Sequence, residues 1–322
     1  MRPARGSGRL VLLAYLLNGA GLAALVLVLV LYRLQQPVEA AGLASTSNPS
    51  TLNDLASTTI VAGGLVETPR VQPHAAIPES PTPFVAPGGL RPRIIGRSVE
   101  GRPLEVYTFG DGPRLVMVVA GIHGGHEWNT IALADELIAE IAMDDTLIPT
   151  GTTLFILRNL NPDGDARSHS TAGRTNDGGV DLNRNFPVNW EPEWDREGCW
   201  DYAPTTAGSE PGSEPETRAV MGFLVTNQIQ ALISYHSAAL GVFPGGEPWD
   251  ADSIRFAEAL GDATGYPFPP IDTGCHYTGT LADYAVSRGA TAVDMELANH
   301  LHTDFEVNLK ALQVLLQWEP ER

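Results

Sequence analysis

Two histidines and a glutamate lie within five residues of one another in Gly121-Ile122-His123-Gly124-Gly125-His126-Glu127-Trp128. Imidazole and carboxylate together suit a zinc ion, and the glycines permit the tight turns that would bring them to one point. Taken alone, the segment reads equally as a polar loop that caps a helix. A further histidine, His236, follows the apolar run Ala231–Tyr235, a place where a lone histidine is more often structural than a ligand. The two sets together offer two histidines and one carboxylate, which would leave zinc an open position for water. Glu296 ends another apolar run, Thr291–Met295. A buried glutamate there needs a metal, a water or a donor, whereas an exposed strand-end acid needs none. Three polar segments lie between: Asn161-Pro162-Asp163-Gly164, Arg174-Thr175-Asn176, and 178–186 with Asp181, Asn183 and Arg184. Arginine and asparagine in such loops can bind carboxylates. Asx turns and surface ion pairs are the plainer alternative.

These side chains need elements to hold them. Apolar runs at Leu115–Ala120, Thr153–Leu157, Ala231–Tyr235 and Thr291–Met295 predict strands. Helical periodicity follows at Thr130–Met143, Glu214–Val225, Ser253–Thr264, Leu281–Arg288 and Asp304–Trp318, with Thr303 as an N-cap for the last. Strands alternating with helices predict a single α/β domain over 91–322. Its central sheet should be mixed, mostly parallel, and flanked by helices. Residues 33–90 are rich in Pro, Ser, Thr and Ala and read as a flexible linker. Residues 10–32 are apolar over about 34 Å of helix, enough to span a membrane. Arginines at 2, 5 and 9, against one at 33, make 1–9 a cytoplasmic tail and put the domain outside. Cleavage near Ala40 and secretion is the alternative. With 38 acidic against 20 basic residues and no basic stripe, a nucleic-acid partner is excluded.

The order HxxxE, NPDG, RxN, GVDLNRNF, SYHS and a late strand-end glutamate resembles the zinc metallocarboxypeptidases of the carboxypeptidase A type, most of all their compact bacterial members, which include murein peptide amidases. The resemblance runs from about Ile94 to Glu296. It implies one Zn2+ per chain, held by His123, Glu127 and His236, with Asp181 orienting the first histidine. It implies Glu296 as general base and acid toward a zinc-activated water, and Arg174 as the group that polarises the scissile carbonyl. Asn183 and Arg184 would hold the substrate's terminal carboxylate, and Tyr277 would cap it. The family spacing is HxxE, whereas here His126 occupies the third place. Glu127 is preferred because Glu127-Trp128 resembles the family's Glu-Trp pair, an inserted glycine bulging the loop. The match slips near Tyr277, so His276 stays open as an alternative.

The expected function is a membrane-tethered, monomeric metallopeptidase that removes a C-terminal residue. One alternative substrate is the γ-D-glutamyl–diamino acid bond of murein. A non-catalytic peptide- or wall-binding module is an alternative of another class. Cys199 and Cys275 fall in loops that the resemblance sets near the site, and an outward-facing location predicts that they pair.

Overall fold

The computed structural model describes residues 84–194 and 205–321. The tail over 1–9, the apolar run over 10–32, most of the linker and Cys199 lie outside the described residues. Among the described residues no helix is long and apolar enough to cross a membrane.

Among the described residues seven strands form one sheet: β1 (Arg93–Arg97), β2 (Pro103–Gly110), β3 (Arg114–Val119), β4 (Thr152–Leu157), β5 (Ala231–Ser237), β6 (Gly241–Pro244) and β7 (Thr291–Leu297). Their order is β1-β2-β4-β3-β5-β7-β6. The β4-β3-β5-β7 centre is parallel throughout. The pairs β1-β2, β2-β4 and β6-β7 are antiparallel. The sheet is therefore evenly mixed, not mostly parallel as the sequence suggested. The parallel strands are apolar runs buried on both faces, and such runs announce themselves in a sequence. The flanking strands do not: β2 alternates buried and exposed positions, and β6 is four residues long.

The helices are α1 (Trp128–Met143), α2 (Pro162–Arg167), α3 (Pro215–Asn227), α4 (Ala251–Thr264), α5 (Leu281–Ser287) and α6 (Phe305–Gln317). Strand alternation sends Val116 and Val118 to one face, into a core with Leu137 and Ile141 of α1, Phe256 of α4 and Leu312 of α6. Met117 and Val119 point the other way, toward Val220 and Phe223 of α3 and Leu281 of α5. Thr303 does not cap α6. Asp304 stands there with φ of 49° and no side-chain cap, its Oδ2 accepting the Tyr266 hydroxyl at 3.0 Å. The buried tyrosine's need for an acceptor outweighs a local cap.

Phe84, Ala86 and Leu90 belong by composition to the linker, yet they pack on the first core. The Phe84 ring meets Tyr107 edge-on at 5.8 Å, and the Arg158 guanidinium lies 5.2 Å from its centroid. Of two shortened chains, the one starting at residue 84 should therefore be the more stable. Starting at residue 91 should cost about 1–3 kcal/mol from the lost Phe84 and Ala86 burial, read from urea unfolding midpoints.

Candidate metal centre and its cavity

Parallel strands deliver their loops to one edge of a sheet, and the candidate residues gather there. Beyond β3 the chain turns at Gly121, with φ of 67°, where a Cβ would come within 2.7 Å of Asn159 Oδ1. His123 follows, and a single 3-10 turn over Gly124–Glu127 leads into α1. That turn spans the unusual four-residue spacing, because it lays the Glu127 carboxylate against the His123 ring. Thr130 fixes the junction, donating to Glu127 O at 2.8 Å and accepting from Gly121 N at 3.1 Å. His236 comes from the end of β5, directly opposite Glu296 in the β5–β7 register.

His123 Nδ1 lies 2.7 Å from Glu127 Oε1, His236 Nδ1 lies 3.5 Å from Glu127 Oε2, and the two Nδ1 atoms are 3.3 Å apart. His123, Glu127 and His236 are all buried, and one ligand atom from each lies within 4.8 Å of the others. Donors at about 2.1 Å from a tetrahedral ion are roughly 3.4 Å apart, so these three residues fit a zinc ion. Each ring also has a carboxylate behind it, as metal-binding histidines do. His123 Nε2 is 3.2 Å from Asp181 Oδ1, and His236 Nε2 is 3.3 Å from Asp294 Oδ1 and 3.0 Å from Ser234 Oγ.

Charge balance holds the cluster together. Burial alone would raise the Glu127 carboxyl, but the His123 and His236 rings hold it well below the usual carboxylate range. Burial opposes the charge on Asp181 too, and Arg174 with His123 keeps it well below its ordinary value. Arg174 bridges the two acids, 2.9 Å from Asp181 Oδ2 and 3.3 Å from Glu127 Oε1. Burial opposes the proton on His236, yet Asp294 and Glu127 push its pKa well above the usual histidine range. Burial raises Glu296, and the neighbouring Glu127 charge raises it further. Its one hydrogen bond among the described residues is from Ala239 N, 3.0 Å.

A cavity of about 1060 Å³ opens over this group. Arg174, Asn183, Arg184, Tyr277 and Glu296 all line it, and Asp181 sits behind His123. Asn183 Oδ1 accepts the Leu281 N–H at 2.8 Å, which leaves its amide nitrogen for a ligand. The Arg184 guanidinium sits between the rings of Trp194 and Tyr277, 5.6 and 4.9 Å from their centroids. Gly279, with φ of 61°, lets the following loop cross the Arg184 carbonyl, where a Cβ would come within 2.5 Å. His276 is exposed. Cys275 is disulfide-bonded; Cys199, with which it was expected to pair, lies outside the described residues.

Other motif residues have structural work. Asn161 caps α2 and donates to Arg174 O at 3.0 Å. Asp163 takes Ser98 Oγ and the Arg102 guanidinium at 2.7 and 2.6 Å, fastening the β1–β2 hairpin. Asn176 ties Glu214 to Val180. His126 stays outside the ligand group, with Nδ1 3.9 Å from Glu127 Oε1 and its ring 4.7 Å from that of His300. Burial pushes its pKa down to about 4.

Residues 86–305 match the family model described as zinc carboxypeptidase. The chain belongs to that family. It is 27% identical to the human carboxypeptidase N catalytic chain over 70% of this chain and 58% of that protein. It is 32% identical to murein peptide amidase A of Escherichia coli K12 over 44% of this chain and 57% of that one. The matches thus span a little over half the length of each relative. Among solved structures, murein-tripeptide amidase from Escherichia coli O157 superposes with a TM-score of 0.55 at 24% identity, covering 72% of this chain and 94% of that one. Bovine thrombin-activatable fibrinolysis inhibitor gives 0.57 at 21%, covering 70% and 86%. At such identities the superpositions show the fold.

The sequence reading missed Asp294, Ser237 and Asn129. Asp294 had a signal, a charge two residues before Glu296 in an apolar strand and so on the same face. Ser237 donates its N–H to Glu127 Oε2 at 3.1 Å, and its hydroxyl to Asn129 Oδ1 at 2.9 Å. Asn129 in turn holds the carbonyls of Asn299 and His302. Nothing in their types or spacing announces these contacts.

Zinc retention tests the ligand set. Glu127→Gln should lose zinc, since a neutral amide is a poor ligand, whereas His126→Ala should retain it. Retention in the first beside loss in the second would reassign the carboxylate ligand. Zinc binds only the deprotonated imidazole, so it must displace the proton that Asp294 and Glu127 favour on His236. Apparent zinc affinity should then rise about tenfold per pH unit until that proton is gone, and be flat above.

Proposed function

We propose that the protein is a zinc-dependent exopeptidase that hydrolyses the peptide bond before a C-terminal residue. The observation that carries this reading is Arg184. Its side chain is buried beside the His–Glu–His group, its Nε has no hydrogen-bond partner, and no carboxylate pairs with it among the described residues. A buried guanidinium without an anion is costly, and a ligand carboxylate would relieve that cost through a forked pair of hydrogen bonds. A chain terminus supplies such a carboxylate and an interior peptide does not.

When bound, zinc supplies a Lewis acid that polarises the scissile carbonyl and makes a water nucleophilic near neutral pH. Arg184 and the Asn183 amide hold the terminal carboxylate, and Tyr277 covers the guanidinium. Arg174, fixed by Asp181 and Glu127, directs donors at the oxygen that gains charge when the carbonyl carbon is attacked. Glu296 takes a proton from the attacking water and delivers it to the leaving nitrogen as the C–N bond breaks. A pKa raised by burial and by Glu127 suits a group that must both accept and return a proton. The apolar run over 10–32 would tether this domain on the outer face of a membrane.

A second reading, cleavage of the γ-D-glutamyl–diamino acid bond of murein peptides, draws on size. The superposed stretch accounts for nearly all of the murein-tripeptide amidase chain. Mass-spectrometric product analysis on peptides and on murein tripeptide separates the two substrates. Glu296→Gln should lower turnover on either by more than the roughly 10²–10⁴ typical of one acid–base step, because one group serves both proton transfers. Zinc content should stay near one per chain. Loss of zinc from this variant would make Glu296 a ligand and end its reading as the base.

A further inference from the structure

One wall of the cavity is held differently from the rest. It is the stretch between α4 and α5, of which residues 269–273 and 275–277 line the cavity. Its two ends are fastened by the backbone. Pro267 O accepts the Val242 N–H at 3.2 Å, while Gly279 donates to Val188 O at 3.2 Å and accepts from Phe186 N at 3.0 Å. Among the described residues no backbone–backbone hydrogen bond involves 268–278. The side-chain bonds of the stretch stay inside it: Asp272 Oδ1 accepts from Gly274 N at 2.8 Å, and Thr273 Oγ1 accepts from Cys275 N and from the Tyr277 hydroxyl, each at 3.2 Å. Phe268 packs on the first core and Pro270 lies against Gly241, so apolar contact secures the beginning only. Residues 271–274 and 276 are exposed. In their midst stands Cys275, which is disulfide-bonded, and Cys199 is the chain's only other cysteine.

We propose that a disulfide between Cys275 and Cys199 latches this wall over Arg184 and places carboxylate binding at the site under redox control. The ligand's identity rests on the exopeptidase reading; the latch itself does not. A segment without ladder hydrogen bonds has little to offset the entropy of being fixed, and a covalent cross-link lowers that cost. Tyr277 lies between the cross-link and the Gly279 anchor, with its ring 4.9 Å from the Arg184 guanidinium. Opening the bond frees this cover and admits water to the guanidinium, which weakens its attraction for a ligand carboxylate. Trp194, on the other side of Arg184, lies on another segment, as do the His–Glu–His group, Arg174, Asn183 and Glu296. The bond therefore acts on ligand binding and leaves the reacting groups in place. Exposed neighbours give a small thiolate an approach to Cys275. A dithiol reductant opens the bond by exchange: it supplies two electrons and two protons, closes into its own disulfide, and leaves two cysteine thiols.

The test compares the full zinc-loaded chain, oxidised, with the same chain after dithiol treatment and desalting without air, and with Cys275→Ser and Cys199→Ser, which need no reductant. Acyl dipeptides ending in Phe and in Arg serve as substrates, and zinc is measured in every sample. Opening the bond should raise KM by about tenfold on both substrates and move kcat by no more than about twofold, with zinc unchanged. Each variant should reproduce this and no longer respond to the dithiol, and reoxidation of the unmodified chain should restore the first KM. Chymotrypsin reads the latch without turnover: cleavage after Tyr277 should be at least about tenfold faster once the bond is open, with the rest of the domain intact.

An unchanged KM in the reduced chain and in both variants would overturn the proposal. So would loss of zinc or unfolding of the whole domain on opening, since the bond would then stabilise the fold at large. A covalent dimer that dithiol separates would overturn it too, by giving Cys275 a partner in a second copy. Absence of turnover in every sample would instead overturn the exopeptidase reading. The chymotrypsin rates still decide the latch in that case: faster cleavage after Tyr277 in the opened chain supports it, and equal rates end it.

Discussion

A single buried negative charge organises this end of the molecule. Glu127 is 2% exposed, and its carboxyl is nonetheless held well below the ordinary range. An ionised carboxylate in that position must have its oxygens met from every side. They are met by two imidazoles, by the Arg174 guanidinium and by the backbone N–H of Ser237. Those partners come from three segments, at His123, at Arg174 and at His236–Ser237, so the packing of this sheet edge depends on satisfying one side chain. The glycines around it follow from the same demand. A Cβ on Gly125 would come within 2.1 Å of the Ser168 carbonyl, so the turn carrying Glu127 closes against that loop only because the residue is small.

The sheet supplies the other half of the constraint. Because β5 and β7 are parallel and in register, Ser234 faces Asp294 and His236 faces Glu296. Side chains repeat every two residues along a strand, so a one-residue slip of either strand would turn its polar pair to the opposite face, into the core under α1, α4 and α6. The apolar residues between them, Tyr235 and Met295, are fully buried in the first core and forbid that slip. Hydrophobic packing behind the sheet thus fixes the position of polar groups in front of it.

This division explains what could be read in advance. His123, Glu127, Arg174, Asp181 and Arg184 stood out as candidates because they cluster in short polar loops, and His236 because it follows an apolar run; only the family resemblance joined them into one set. The parallel strands were legible because they are buried on both faces. Strands β1, β2 and β6 were not, since they alternate or are too short to show a period. Phe84 and Ala86 escaped because they are isolated apolar residues among prolines, and only their packing, Phe84 against Tyr107 and Arg158 and Ala86 in the first core, reveals it. Asn129 and Ser237 escaped for a related reason. Their importance lies in bonds to Asn299, His302 and Glu127, which are long-range consequences of topology and leave no local pattern.

The same physics separates the two glutamates of the cavity. Glu127 and Glu296 share one wall and each feels the other's charge. Glu127 has the rings, the arginine and an N–H, and is stabilised as an anion before any metal arrives. Glu296 has one backbone donor, and burial together with its neighbour's charge disfavours its ionised form. Two chemically identical groups are thereby driven toward opposite protonation behaviour, a division that environment alone can produce. Under the exopeptidase reading this is the needed pair: one carboxylate that never takes a proton and can stay on a cation, and one that exchanges protons readily.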